Sequence, residues 1–391
     1  MGEPYSLYLH IPFCQTRCTY CDFNAYAGMS DLIGRYARAL AKEIRVTSLP
    51  RQAREGGESV HTIFFGGGTP SLTPLPDLAL IFAACRETFD LTADAEITLE
   101  ANPGTVSLEY LEGLRALGVT RLSFGVQSAH ASELALFNRI HSFEDAVETV
   151  RLARIAGFDN VNLDLIFGIP GQTLAMWQHT LESTLGLEPE HLSAYSLSLE
   201  FGTPMQAWVQ RGQLPAPDPD LAADMYEWAG ETLEAHGFAQ YEISNWAMDG
   251  RNTCRHNLQY WRNLPYLGFG AGAHGWAKGW RYSVARSPRG YIERIERGDE
   301  AEFPFSPALA EKEMVDRETE MGETMMLGMR LTAEGVSECT FRERFGIGLS
   351  EAYAEELGDL AEAGLIEWDA TGARLTRRGR PVANWVFRRF V

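Results

Sequence analysis

The chain has 391 residues and carries 34 Lys and Arg against 53 Asp and Glu, a formal net charge of −19. With 45% apolar and 22% charged residues it can bury a large core, is too hydrophobic to be disordered, and is long enough for two or three domains. The acidic balance opposes general nucleic-acid binding, which needs a basic surface, and the lack of any apolar run of 18 residues or of a secretory signal sets the cytoplasm as the expected compartment.

The opening Met1-Gly2-Glu3-Pro4-Tyr5-Ser6 fits a loose myristoylation pattern but is read as coincidence, because a strand is expected from about Tyr5. From there to about residue 200, short β-rich runs alternate with helical patterns. The runs are Ser6 to Pro12, Val60 to Phe65, Glu96 to Ala101, Arg121 to Val126, Asn160 to Phe167 and His191 to Ser198. Segments between them, such as Asp31 to Leu49, Ser107 to Leu117, Phe143 to Ala156 and Thr173 to Leu187, carry apolar residues at helical spacing. Such βα units build a parallel sheet, either doubly wound or curled toward a barrel. Cys14, Gly66 to Thr69, Glu100, Gln127 and Asp164 fall at or just after strand ends, where a barrel assembles its site. The expectation is therefore an α/β fold whose residues 1–215 form an open, partial (β/α)6 TIM-like barrel.

Residues 216–300 read as an extension of the barrel with a helix, a strand-like Tyr241 to Trp246, and a Gly-rich loop from Gly268 to Gly275. That loop lacks a clear preceding strand and a following helix, so close backbone approach explains it better than a dinucleotide fingerprint. Pro304 to Pro307 reads as a linker. Helical patterns at about 311–330, 337–345 and 350–363 then lead into Gly364 to Trp368 and a hairpin ending near Leu375. This predicts a mainly helical, winged-helix-like C-terminal domain over residues 301–391. Arg374, Arg377, Arg378, Arg380, Arg388 and Arg389 make its end basic; on so acidic a chain a lid packed on the barrel is favoured over a DNA-binding module.

Three of the six cysteines, Cys14, Cys18 and Cys21, fall within eight residues, while Cys85, Cys254 and Cys339 are scattered. Such clustering points to a metal or cluster rather than disulfides. The C-x3-C-x2-C spacing offers three thiolates to a [4Fe-4S] cubane that normally takes four, which leaves one iron open to a chelating small molecule. A structural zinc would need a fourth ligand nearby, and His10 lies within an alternating strand.

This spacing is the hallmark of the radical SAM superfamily, which the chain resembles. The runs Tyr8-Leu9-His10-Ile11-Pro12-Phe13-Cys14 and Phe65-Gly66-Gly67-Gly68-Thr69-Pro70-Ser71 resemble one branch, the oxygen-independent coproporphyrinogen III oxidases and the related HemW heme chaperones. Supporting segments are Glu100 to Gly104, Ser123 to Ser128, Asn138 to Ser142 and Asn162 to Gly171, so the resemblance covers nearly the full length. It implies a [4Fe-4S] cluster on Cys14, Cys18 and Cys21. It also implies S-adenosylmethionine contacts at Tyr8, Gly67, Gly68, Thr69, Glu100, Gln127, Arg139 and Asp164. The chemistry it implies is one-electron reduction of the sulfonium to methionine and a 5′-deoxyadenosyl radical, fed by a donor such as flavodoxin or a reductase. Without the resemblance, a Glu, Gln or Asp at a strand end is as often an internal structural residue as a ligand contact.

Two branches remain to be separated. The decarboxylating oxidases usually carry a further cysteine two positions after the third, where this chain has Phe23, and a longer N-terminal extension than the 13 residues before Cys14. The segment His256-Asn257-Leu258-Gln259-Tyr260-Trp261 matches the H-N-x-x-Y-W motif expected of HemW-like proteins for heme. His256 would ligate iron while Tyr260 and Trp261 pack on the porphyrin; Cys254 is an alternative ligand, and ordinary burial below the barrel is the alternative reading of His256 and Trp261. The expected function is a heme chaperone that binds heme, cluster and S-adenosylmethionine and delivers heme to acceptors such as respiratory enzymes, without coproporphyrinogen III dehydrogenase activity. The runner-up is the oxidase itself, which converts two propionates of coproporphyrinogen III to vinyls. Nucleic acid is not an expected partner, and peripheral membrane association and a homodimer stay open.

Overall fold

The computed structural model describes residues 4–47, 59–298 and 300–391; Met1 to Glu3 of the opening pattern and the Leu49 end of the first expected helix lie outside the described residues. Six strands, β1 (Tyr5–Ile11), β2 (Ser59–Gly67), β3 (Asp90–Ala101), β4 (Arg121–Gln127), β5 (Val161–Phe167) and β6 (His191–Ser196), run parallel to their neighbours in chain order. β1, β4 and β5 are buried along almost their whole length, as strands covered on both faces must be. Crossover helices Ile33–Val46, Leu75–Thr88, Leu108–Leu117, Phe143–Ile155 and Leu174–Leu185 supply that cover. Their starts are set locally: Ser107, Ser142 and Thr173 each accept the backbone N–H three residues on, and Asp145 completes a capping box with Ser142.

The sheet does not close. Beyond β6, β7 (Ala239–Glu242) and β8 (Asn245–Ala247) form an antiparallel hairpin, so the single strand expected over Tyr241 to Trp246 is two strands. Glu242 forces the reversal, its buried carboxylate accepting the Ser244 N–H at 2.8 Å and the Asn245 side-chain amide. On the other side, β9 (Tyr266–Phe269) pairs parallel with β1, followed by antiparallel β10 (His274–Ala277), β11 (Trp280–Val284) and β12 (Leu309–Met314). The full order is β12-β11-β10-β9-β1-β2-β3-β4-β5-β6-β8-β7.

Three expectations are corrected on that side. The Gly-rich loop does follow a strand, β9, although a strand rather than a helix comes after it; the close approach stands, since a Cβ on Gly270 would collide with the His10 carbonyl and the Tyr36 hydroxyl. Residues 311–314, expected as helix, belong to β12, whose charged, exposed side chains suit a sheet edge, and the helix starts only at Arg317 behind its Asp316 cap. Pro304 to Pro307 is not a free linker, because Phe305 and Ser306 are buried. The Ser306 hydroxyl bonds Glu43, which also accepts the Gly270 N–H at 2.8 Å and the Tyr291 hydroxyl at 2.6 Å.

The C-terminal domain has its own apolar core around Met325, Phe341, Leu357, Leu360 and Val386. Helices Arg317–Gly328, Glu338–Phe345 and Ala354–Glu362 and a sheet of β13 (Val336–Ser337), β14 (Ile366–Asp369) and β15 (Gly372–Leu375), with β15 central, give the expected winged-helix-like form. Four of its terminal arginines are engaged within the chain: Arg374 with Glu367, Arg377 with Glu234, Arg389 with Asp359, and Arg380 with Gln240. No helix among the described residues is long and apolar enough to cross a membrane.

Glu43 yields a stability test. Burial pushes its carboxyl up to about 7, against three hydrogen bonds that pull it down. The folded state therefore holds a proton that the unfolded chain releases near pH 4.5, and stability falls as pH rises between those values, by an amount on the order of 2–3 kcal/mol. Glu43→Gln is expected to flatten this part of the profile of melting temperature against pH; an unchanged slope would refute the assignment.

Candidate functional site

At the C-terminal ends of β1 to β6 lies a cavity of about 480 Å3. The loop after β1 brings Cys14, Cys18 and Cys21 to it, all half-buried and unpaired. This loop has little regular structure, so backbone contacts with distant segments hold it: Thr19 N–H to Phe137 O at 3.2 Å, Tyr26 N–H to Pro12 O at 2.7 Å, and Met205 N–H to Thr19 O at 3.0 Å.

The glycine run ending β2 packs against the start of this loop. Gly68 N–H donates to Ile11 O and Thr69 N–H to Phe13 O, both at 2.8 Å, and a Cβ on Gly68 would sit 2.6 Å from Phe13 O. Gly67, at φ +112°, lies where a Cβ would strike the His10 ring. These glycines thus serve the cluster loop first. The Gly67 N–H goes to Glu100 at 3.2 Å, and because an ammonium only donates, the glycines can meet one only through carbonyl oxygen.

The barrel interior supplies the charged groups. Burial, and then the nearby Asp164, push Glu100 up to about 8. Asp164 is also raised by burial and accepts from Asn162 at 2.8 Å and Ser123 at 3.1 Å. Gln127 ends β4 at φ 69°, the left-handed region that few glutamines adopt. Arg139 gives Nη1 to Asn102 Oδ1 at 2.5 Å and Nη2 to the Tyr20 hydroxyl at 3.0 Å. Tyr8 shares its hydroxyl with His10 at 3.0 Å.

The floor is the short helix Arg255–Trp261, whose first N–H groups, at Arg255 and His256, donate to buried Glu96 at 3.0 and 3.1 Å. His256 is 1% exposed. Its Nδ1 lies 2.7 Å from Thr62 Oγ1 and its Nε2 2.9 Å from the Tyr260 hydroxyl. Since Thr62 gives its own proton to Ser6, Nδ1 must carry the imidazole hydrogen and Nε2 the lone pair. Burial pulls the ring down to about 3, so it is neutral.

Every residue anticipated for cluster or S-adenosylmethionine therefore lines one cavity, together with His256 and Tyr260. Trp261 does not: its ring lies under the Arg330 guanidinium, 4.2 Å away, toward the C-terminal domain. Sequence reasoning missed Tyr20, Asn102 and Arg121 as lining residues. Asn102 lies two residues beyond Glu100 in a quoted motif and Tyr20 lies between two cluster cysteines, which were the available signals. Arg121 is buried with an unpartnered Nε among the described residues and had none.

The cysteines fit a cubane better than a single ion. Among the described residues no three His, Cys, Asp or Glu could hold one metal ion, as zinc would require, whereas a cubane binds each thiolate to a different iron. Burial raises the Cys14 thiol and pushes that of Cys21 up to about 11, so without a metal's charge both remain protonated.

The radical SAM superfamily model matches residues 8–184, and the HemN C-terminal domain model residues 315–382. The heme chaperone HemW of Bacillus subtilis strain 168 is 40% identical over 388 residues, 99% of either chain. The chain belongs to the HemW family of the radical SAM superfamily. HemW of Mycobacterium tuberculosis H37Rv is 37% identical over 396 residues, 99% of this chain and 95% of that one. The solved coproporphyrinogen III oxidase HemN of Escherichia coli, a radical SAM enzyme, superposes with a TM-score of 0.82 at 25% identity, over 99% of this chain and 90% of its own. Membership brings the [4Fe-4S] cluster and S-adenosylmethionine as this chain's cofactors.

Cys18→Ser is expected to abolish the full cubane after anaerobic reconstitution, and Gly68→Ala to lower iron loading by displacing the cluster loop. Iron content and the visible spectrum check both. A full complement of iron in Cys18→Ser would refute the ligand set.

Proposed function

We propose that this chain is a heme chaperone that binds heme, a [4Fe-4S] cluster on Cys14, Cys18 and Cys21, and S-adenosylmethionine, and passes heme to acceptor proteins in the cytoplasm or at its membrane face. The supporting observation is the convergence of three unpaired thiols and the polar groups of the quoted motifs on one cavity, in a chain alike over its full length to heme chaperones. Phe23, 63% exposed at the cavity mouth, stands where the decarboxylating branch has a cysteine. Respiratory enzymes are the acceptors we favour, and a flavodoxin or reductase the electron donor.

When bound, the cluster supplies one electron to the sulfonium. The chain's own residues do the holding. Arg139, a half-buried guanidinium beside the cluster loop, suits a carboxylate; Glu100 and Asp164 suit cationic and hydroxyl groups; Gln127 and Tyr8 close the walls. For heme iron we favour His256 through Nε2, which lies 2.9 Å from the Tyr260 hydroxyl. Ligation there requires the floor helix to shift, since the ring is enclosed by Phe64, Tyr8 and Tyr260. Trp261 would then contribute through the domain interface rather than by packing on the porphyrin in the cavity.

The likeness to the oxidase structure keeps decarboxylation of coproporphyrinogen III as the second reading. Reduced, reconstituted protein given coproporphyrinogen III and S-adenosylmethionine is expected to make no protoporphyrinogen over multiple turnovers, while hemin titrates it to saturation. Multiple turnover would sink the chaperone reading. His256→Ala is expected to weaken hemin binding about tenfold, ~1.4 kcal/mol, with cluster content unchanged; unaltered affinity would remove only the ligand assignment.

Asp164→Ala tests the second cofactor. Losing a buried hydrogen-bonding carboxylate is expected to weaken S-adenosylmethionine binding by about tenfold or more. Equilibrium binding to cluster-loaded protein measures it, and an unchanged dissociation constant excludes Asp164 from that site.

A further inference from the structure

A continuous line of hydrogen bonds leads from the half-buried Arg139 to the sulfur of Cys14. Arg139 Nη1 donates to Asn102 Oδ1 at 2.5 Å, Asn102 Nδ2 donates to Thr69 Oγ1 at 3.0 Å, and Thr69 Oγ1 lies 3.6 Å from Cys14 Sγ. The direction of every proton follows from donor and acceptor chemistry. A guanidinium only donates, so Asn102 must turn its carbonyl oxygen to Arg139 and its amide to Thr69. Thr69 Oγ1 then accepts from Asn102, and its one proton is left for the sulfur. Among the described residues, no other side-chain hydroxyl or amide bonds the sulfur of a cluster cysteine.

We infer that Asn102 and Thr69 are positioning residues that fix a hydrogen bond on the Cys14 thiolate and thereby raise the reduction potential of the cluster. The inference rests on the cluster assignment above. A hydrogen bond to a ligating sulfur withdraws electron density and favours the reduced cluster. The sense of the relay is set at Arg139, which faces the same cavity. An anionic group bound there acts on the cluster through Asn102 and Thr69 rather than through space alone.

The test uses full-length, anaerobically reconstituted protein, with iron content measured first and the midpoint potential then read by spectroelectrochemical titration with electron paramagnetic resonance. Thr69→Val, which keeps the shape and removes the hydroxyl, is expected to load iron normally and shift the potential negative. Thr69→Ser is expected to stay at the wild-type value, a rescue that packing alone does not predict. Asn102→Leu, also uncharged, is expected to move in the same direction as Thr69→Val, because the hydroxyl is no longer aimed. In wild type, exchange into deuterated water is expected to perturb the Fe–S(Cys) vibrations, and in Thr69→Val less so. A loaded Thr69→Val at the wild-type potential overturns the inference. A shifted Thr69→Val with Asn102→Leu unshifted overturns the relay. If Thr69→Val takes up no iron, Asn102→Leu and the isotope effect in wild type decide. Wild-type protein that binds no iron would instead count against the cluster assignment.

Discussion

The site depends on how closely the end of β2 approaches the loop after β1. Two backbone bonds, Gly68 N–H to Ile11 O and Thr69 N–H to Phe13 O, both 2.8 Å, form because neither Gly67 nor Gly68 has a side chain to hold the backbones apart. They place Cys14 beside Thr69 and bring Thr69 within reach of Asn102 at the end of β3. A single steric requirement in β2 thus sets the position of the first cluster ligand and of its polar neighbours. The other two cysteines are located by longer-range anchors, of which Thr19 is the hub: it bonds Phe137 and Leu136 on one side and Met205 on the other.

Inside the barrel, burial rather than pairing dominates the electrostatics. Glu100 and Asp164 face the same space with raised proton affinity, while Arg121, buried near both, contacts neither by hydrogen bond or ion pair among the described residues. Carboxylates held in such an interior cost more to keep ionised than they would in bulk water. A ligand that is itself a cation with hydroxyls and a carboxylate recovers part of that cost, so the polarity of the interior becomes the basis of its selectivity.

The parallel strands were legible because two-sided burial writes continuous apolar runs, and the crossover helices because their apolar residues recur at helical spacing. Residues 311–314 were not, because β12 takes its form from pairing with β11 and from Lys312 lying 4.2 Å over Phe305, neither of which is local. The two-stranded form of Tyr241 to Trp246 was hidden because a buried glutamate, not glycine or proline, makes the turn. The cysteines and glycines announced themselves by spacing, whereas Arg121 sits in a strand where a charged residue reads as solvent-facing. Trp261 was misplaced for a reason that helix geometry supplies: at 3.6 residues per turn, His256 and Tyr260 share a face and the next residue turns away.

That same geometry constrains how heme and the cluster can share one protein. His256 stacks on Phe64 with ring centres 5.1 Å apart and lies 6.4 Å from the ring of Tyr8, and Tyr8 lines the cavity that holds the cysteines. A tetrapyrrole bonded to Nε2 cannot leave this packing untouched, because close-packed rings do not yield independently. The floor helix also has its first N–H groups tied to Glu96, so displacing it leaves a buried carboxylate in need of new donors. The heme ligation proposed for His256 would therefore draw on the same side chains as occupation of the cavity. By linkage, whatever one ligand does to the affinity of the other is returned in equal measure.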